Sequence, residues 1–212
     1  MKVRYLGHAC FEFTSNDGVK VITDPYTKVG YELPCGLTAD VITVSHSHFD
    51  HNYIQVINAR YIVSELGEYM VDGVFFEGVA SFHDPKMGAL RGKNIIYKIK
   101  VDGLTICHMG DIGEEYTDAL AKKIGKVDLL CIPVGGTYTV DAIGAKKYID
   151  CLKPKMVIPM HYRPSDGALD IAGIKTFTGL YNQDEVTCIQ NGVLDINEQT
   201  QGIIYMERVK GV

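Results

Sequence analysis

Residues 41–52 read VITVSHSHFDHN and place His46, His48, Asp50 and His51 within six positions, directly behind an apolar run. Nearly half of the chain's seven histidines lie in that one stretch. A neutral imidazole offers a nitrogen lone pair and a carboxylate offers oxygens, the donor types that bind Zn, Mn and Fe. In an extended chain His46 and His48 project to the same side, because side chains alternate with period two. The pair can therefore share one metal ion. Asp50 and His51 follow in a turn, offset from the first pair, where they can serve a second ion or act as base and ligand beside the first. A lone histidine at a strand end is commonly solvated or next to a cap. Four ionisable groups crowded behind VITVS do not fit that plain explanation.

More ligands must come from elsewhere in the chain. His83 lies in ASFHD, Asp111 in HMGDIG and His161 in VIPMHY. Each follows a strand-like apolar run, as the first cluster does. Layered α/β folds build their sites in loops beyond strand ends, so the recurrence carries more weight than any single residue. His108 stands three residues before Asp111 and reads as structural or supporting. Asp24, in VITDP, reads either as a turn residue or as a hydrogen-bond partner for a ligand histidine. His8, in LGHA, reads as a packed histidine or as a proton donor and substrate contact. Thr137 and Tyr138, with Tyr162 and Arg163 after His161, are candidates for the pocket wall, and Arg163 can pair with an anionic group.

Elements of strand length alternate with turn signals along the whole chain. KVRYLG, FEF and VKVITDP read as an opening antiparallel set, with SNDG turning between the last two. DVITVSH reads as a strand buried on both faces. NYIQVINA has helical spacing, and RYIVS reads as a strand. NIIYKIKVDGLTICHMGD reads as a hairpin turning at Asp102-Gly103. EEYTDALAKKIG, VDAIGAKKYIDCLKP and LDIAGIKTFTGLY read as helices, the second capped by Thr139. VDLLCIPVGG, MVIPMHY and GIIYMERV read as strands. Antiparallel hairpins are expected near both ends. The pattern is α/β (α+β): two mixed sheets packed together with helices outside, a four-layer αββα arrangement over residues 1–212 as one domain. Periodicity alone leaves a three-layer α/β fold as a competitor.

The motifs HSHFDH, His83, the GD at Asp111 and the final PMH, in that order, resemble the signature of the metallo-β-lactamase superfamily. YLGHACFEF, VITDP, RGKN at 91–94 and PVGGTYT at 133–139 resemble its short ascorbate-6-phosphate-lactonase-like branch of Zn-dependent hydrolases. The resemblance implies that fold and two adjacent sites. His46, His48 and His83 would hold one metal; Asp50, His51 and His161 would hold the second; Asp111 would bridge. Two ions about 3.5–4 Å apart lower the pKa of a shared water and polarise the bond under attack. Asp50, Asp111 and His8 are the catalytic candidates. The implied cofactors are two divalent ions, Zn first, with Mn or Fe compatible. Where relatives carry His after the GD motif this chain has Glu114, which removes the usual proton shuttle there.

Net charge is −5, which argues against a general nucleic-acid binder. No apolar run approaches the roughly 18 residues of a membrane span. The N-terminus lacks the pattern of a signal peptide. The six cysteines show no CxxC pair, so reduced thiols in the cytoplasm are expected. Asp111 and His161 are 50 positions apart (161 − 111), too close for the inserted domain of the RNA-processing branches. The partners expected are a small-molecule substrate, with an anionic one suited to Arg163, and a second copy of the chain, as in the lactonase-like relatives. The leading function is a dinuclear hydrolase of lactones, esters or phosphodiesters. A mononuclear iron redox enzyme on the same fold and a protein with a structural or regulatory metal site are its rivals.

Overall fold

Val3, Tyr5, Phe11, Phe13, Val21 and Val41 pack into one core, while their neighbours Leu6, Cys10, Ile22 and Ile42 pack into another. That division is the period-two alternation of strands buried on both faces. In the computed structural model, which describes residues 1–210, the first half of the chain forms β1 (Lys2–Gly7), β2 (Cys10–Thr14), β3 (Lys20–Thr23), β4 (Thr38–Thr43), β5 (Asn58–Val63), β6 (Gly67–Val71), β7 (Val74–Phe82), β8 (Lys93–Val101) and β9 (Leu104–His108). The second half adds α1 (Asp118–Ile124), β10 (Leu129–Pro133), α2 (Ala142–Leu152), β11 (Met156–Met160), α3 (Ile174–Thr178), β12 (Val186–Ile189), β13 (Val193–Asp195) and β14 (Gly202–Met206).

Two mixed sheets result, in the orders β13-β1-β2-β3-β4-β5 and β12-β14-β11-β10-β9-β8-β7-β6. In the first, β1, β2 and β3 alternate in direction and β3, β4 and β5 run parallel. In the second, β6 to β9 alternate and β9, β10, β11, β14 and β12 run parallel. The C-terminal ends of β1, β3 and β4 therefore share one edge of their sheet, and those of β7, β9 and β11 share one edge of theirs. The sheets meet through the larger core, with Phe11, Phe13, Phe76, Tyr97 and Ile106 fully enclosed.

The two-sheet α+β sandwich agrees with the sequence reading, but several local expectations change. Helices α1 and α2 both pack on the eight-stranded sheet, against β7 and β10. The outer face of the six-stranded sheet is covered instead by Tyr26, Val29, Leu37 and Ile57. Residues 24–37 contain Pro25, Gly30, Pro34 and Gly36, which disfavour a helix. The helical spacing of NYIQVINA yields only a 3-10 turn at Ile54–Val56. From Asn58 the chain pairs in parallel with β4, and that tertiary pairing overrides the local spacing. LDIAGIKTFTGLY is helical only over α3. The second helix is capped by Asp141, whose carboxylate accepts the Gly144 N–H at 2.8 Å, rather than by Thr139. Among the described residues no hairpin closes the C-terminal end. β12 and β14 lie side by side in parallel, and β13 between them in sequence crosses to pair with β1.

Candidate metal centre

Each candidate ligand sits just past the C-terminal end of a strand: His46 to His51 after β4, His83 after β7, Asp111 after β9, His161 after β11. His8 and Asp24 follow β1 and β3 in the same way. Directionality of the two sheets brings all these ends to one rim. His8, Asp24 and His161 hold left-handed backbone angles, φ 53°, 39° and 52°. Non-glycine residues take such angles at a cost of order 1–3 kcal/mol, and they cluster where side-chain placement matters. Gly7 makes the first of these turns accessible. Its φ is 113°, and a Cβ there would sit 2.8 Å from the Tyr31 ring. The His161 N–H donates to the His8 carbonyl at 2.9 Å, tying the two sheets together at that rim.

The structure gathers the candidates into two groups. His46, His48 and His83 bring ligand atoms within 4.8 Å of one another, and so do His8, Asp50, His51 and His161. Asp111 lies between the groups. One of its carboxylate oxygens is 3.2 Å from His83 Nε2 and 3.2 Å from His161 Nε2; the other is 3.1 Å from His51 Nε2. His46 Nε2 is farther, at 4.0 Å. The imidazoles crowd together, with ring centroids 4.4 Å apart for His46 and His51, 4.7 Å for His46 and His83, and 4.2 Å for His8 and His161. His8 Nε2 is 3.3 Å from an Asp50 oxygen.

Beneath the ligands lies a supporting layer. Buried Asp24 contacts His51 Nδ1 at 2.7 Å and accepts the Ser45 N–H at 2.8 Å and the Ser45 hydroxyl. Ser45 Oγ is 2.9 Å from His46 Nδ1. Asp24 thus orients one candidate ligand directly and a second through Ser45. Asn94 accepts the Asp111 N–H at 2.9 Å and donates to Met109 O and Ser81 Oγ. Ser45, Asn94 and the buried Asp84 were passed over in the sequence reading. Their signals were position alone: Ser45 between strand and cluster, Asp84 beside His83, Asn94 at the end of RGKN.

Electrostatics follow from burial against charge. Burial pushes His8 down to about 4, and neighbouring His161 adds to the effect. Burial likewise takes His46 down to about 3, with His51 contributing. Both imidazoles are neutral near pH 7, the form that binds metals. Burial opposes charge on Asp111, but His161 and His51 outweigh it and hold the carboxyl well below the usual range. Asp50 is depressed in the same sense, burial being outweighed by the neighbouring His8 and His51 imidazoles. His51 is raised: burial disfavours its charge, but Asp111 and Asp24 prevail.

Not every candidate joins the cluster. His108 Nε2 is 2.8 Å from the Ala9 carbonyl, away from both groups. Tyr162 is a core residue whose hydroxyl donates to Met206 O at 2.9 Å. Arg163 lies behind His8, on a cavity of about 620 Å³ shared with Tyr31 and Arg208, rather than on the one that reaches His46 and His48. The main chain of Glu114 accepts the Tyr148 hydroxyl at 3.1 Å. Thr137 and Tyr138 do line a cavity beside the rim.

The profile of the β-lactamase superfamily domain matches residues 2–161, most of the chain and all of the candidate ligands. The chain belongs to the metallo-β-lactamase superfamily. A metal-dependent hydrolase of Thermococcus kodakarensis is 31% identical, over 76% of this chain and 84% of the relative. A structure from Thermotoga maritima, assigned to Zn-dependent hydrolases of the metallo-β-lactamase superfamily, superposes with a TM-score of 0.81 at 32% identity, covering 99% of both chains. A diiron β-hydroxylase of Streptomyces venezuelae matches with TM-score 0.57 at 15% identity over 76% of this chain and 44% of its own, and so shares the fold alone. This superfamily member is a metal-dependent hydrolase. No helix among its described residues is long and apolar enough to cross a membrane.

Its residues fit a metal. Among the described residues, six of the eight buried side-chain atoms without a hydrogen-bond partner belong to His8, His46, His51, His83, Asp111 and His161. Leaving a buried polar atom unsatisfied costs roughly 1–3 kcal/mol. His8, His46 and His51 each strand Nε2, and Asp111 strands Oδ1, all within the gathered groups. Cations between them would satisfy several of these atoms together.

Proposed function

We propose that this hydrolase holds two metal ions and uses them to cleave a small-molecule lactone, ester or phosphodiester. His46, His48 and His83 hold one ion, Asp50, His51 and His161 the other, and Asp111 bridges them. The observation that carries this reading is the stranded, converging set of imidazole and carboxylate atoms around Asp111. When bound, such a pair of ions makes a water nucleophilic near neutral pH and polarises the bond it attacks. Imidazole and carboxylate donors suit Zn, Mn and Fe alike, and Zn is the ion we assign, in keeping with the Thermotoga relative.

The chain's own groups divide the remaining work. Asp111 offers an oxygen to either side and offsets part of the repulsion between two cations. Asp24 and Ser45 keep His51 and His46 in fixed tautomers, which raises their basicity as ligands. Asp50 sits at the mouth of the second group, where it can accept and release a proton. His8, whose Nε2 is 3.3 Å from Asp50, orients that carboxylate. The cytoplasm is the setting we assign, since all six cysteines are free and three of them are buried.

The test is a panel of one lactone, one carboxylic ester and one phosphodiester. Turnover of each is measured as purified, after chelation, and after return of Zn, Mn or Fe(II). We expect hydrolysis of at least one member, abolished by chelation and restored by a divalent ion without any external reductant. Turnover that survives complete removal of metal from folded protein contradicts the reading. A requirement for a reductant and oxygen would move the chain to the iron redox class.

A further inference from the structure

A cavity of about 550 Å³ is walled by His46 and His48 and also by Arg91 and Lys93. A neighbouring cavity of about 740 Å³ is lined by Leu90, Tyr116, Tyr138 and Ile143, and it too has Arg91 in its wall. Arg91 therefore stands where a groove that reaches the metal centre meets a groove with apolar and aromatic walls. Ile143, Leu90 and Tyr138 are 63%, 59% and 38% exposed. Exposed apolar side chains gathered around a concave site suit a ligand with an apolar part.

The guanidinium is held but not neutralised. One of its N–H groups donates to Thr137 O at 3.0 Å, and the group lies 5.6 Å from the centroid of the Tyr138 ring. The side-chain ion pairs formed by arginines among the described residues involve Arg4, Arg60, Arg163 and Arg208, not Arg91. Two carboxyl side chains share the second cavity. Asp141 is engaged as the cap of α2, and Glu115 shares the wall with Lys147. Glu65 is the acidic wall residue of the first cavity, against Arg91 and Lys93.

The backbone under Arg91 is equally fixed. Asp84 is fully buried and follows His83 in the chain. Its carboxylate accepts the N–H groups of Lys86, Gly88, Leu90 and Arg91 at 2.8, 3.2, 3.0 and 2.8 Å. The loop is wound around a charge one residue from a candidate ligand, so the position of Arg91 is tied to the metal centre. Preorganisation of this kind lowers the entropy lost on binding.

We propose that Arg91 anchors an anionic substrate. A carboxylate or phosphoryl oxyanion is clamped by its free N–H fork, the scissile bond lies toward His46 and His48, and an apolar or aromatic group occupies the groove of Leu90, Tyr138 and Ile143. The inference rests on the hydrolytic reading above and names its substrate class. Arg suits this role because its planar fork matches an oxyanion bidentately, which a lysine ammonium does not. Asp84 acts through Arg91 as a positioning residue.

The test is titration calorimetry of the metal-loaded protein with phenylphosphonate, benzoate and neutral benzamide. We expect at least one of the two anions to bind, and the comparison between them to identify the oxyanion. Arg91→Met should weaken that anion at least tenfold, Arg91→Lys by less, and benzamide should change under twofold. Asp84→Asn should weaken the same anion, raising KM more than it lowers kcat on any anionic substrate, with metal content unchanged. Thermal unfolding and metal content check each variant, and Arg91→Lys carries the comparison if Arg91→Met does not fold. The proposal is overturned if wild type binds neither anion, or if wild type and the folded Arg91 variant bind both equally. Arg91-dependent binding without hydrolysis of any panel member would instead remove the hydrolytic reading and leave the anion site standing.

Discussion

Asp111 is the residue on which the proposed centre turns, since its carboxylate lies 3.1–3.2 Å from His51, His83 and His161, histidines of both groups. Replacement by Asn keeps its shape but removes the charge, and an amide nitrogen is a poor ligand. We expect Asp111→Asn to lose about one metal equivalent per chain and more than about 100-fold in rate, beyond the 10–100-fold typical of a supporting residue. Elemental analysis beside the turnover assay reads both; wild-type metal content and rate would remove Asp111 from the bridge. Asp24→Asn falls in the supporting class. It should cost roughly 10–100-fold in metal affinity, measured by chelator competition, because His51 loses the charge that fixes its ring. An unchanged affinity would make Asp24 a turn residue only. At this scale the sequence was informative where chemistry recurs: His46, His48, His83, Asp111 and His161 all stand after apolar runs, and the fold brings them near one another. It was silent on Ser45, Asp84 and Asn94. Ser45 and Asn94 act through hydrogen bonds to residues brought near only by folding, as Asn94 to Asp111 across 17 positions, whereas Asp84 acts within its own loop, which no periodicity marks.

The elements succeed as positioning devices because the strands that carry ligands end at a common rim. One glycine guards that rim. A Cβ on Gly113 would collide with the main chain of His83 and come within 2.7 Å of Asp84 N. Backbone cannot step aside as the end of a flexible side chain can. Gly113→Ala should therefore destabilise the fold by about 1–3 kcal/mol and weaken metal retention, read by urea unfolding and chelator competition. A variant with wild-type stability and metal affinity would show that the β7 and β9 loops adjust freely. Strands and the Asp102-Gly103 hairpin were legible because their signals are local: alternation, β-branched runs and a turn dipeptide. NYIQVINA was misread since pairing with β4 decides its state, and pairing partners are distant in sequence. The parallel placement of β12 and β14 was hidden for the same reason. The covering of the six-stranded sheet by a loop is marked in the sequence by Pro25, Gly30, Pro34 and Gly36, which disfavour a helix there.

For the whole molecule, two opposing sheets supply one continuous core, and the metal centre rides on its rim. Removing a fully enclosed side chain should be felt globally. Phe76→Ala should cost about 3–5 kcal/mol in chemical unfolding, whereas Met70→Ala, at a site 67% exposed, should stay within about 0.5 kcal/mol. Similar losses at both positions would contradict the core as described. Metal bound to the native state alone also stabilises it by mass action, so chelation should lower the melting temperature without unfolding the chain at 25 °C. The most direct measurement is metal stoichiometry. Folded protein is saturated with Zn, freed of excess by gel filtration and assayed for metal per chain, beside His48→Ala and His161→Ala, each of which strips one proposed site. Two equivalents in wild type and about one in each variant are predicted. One equivalent or fewer in wild type, or a variant that keeps both, would contradict a dinuclear centre.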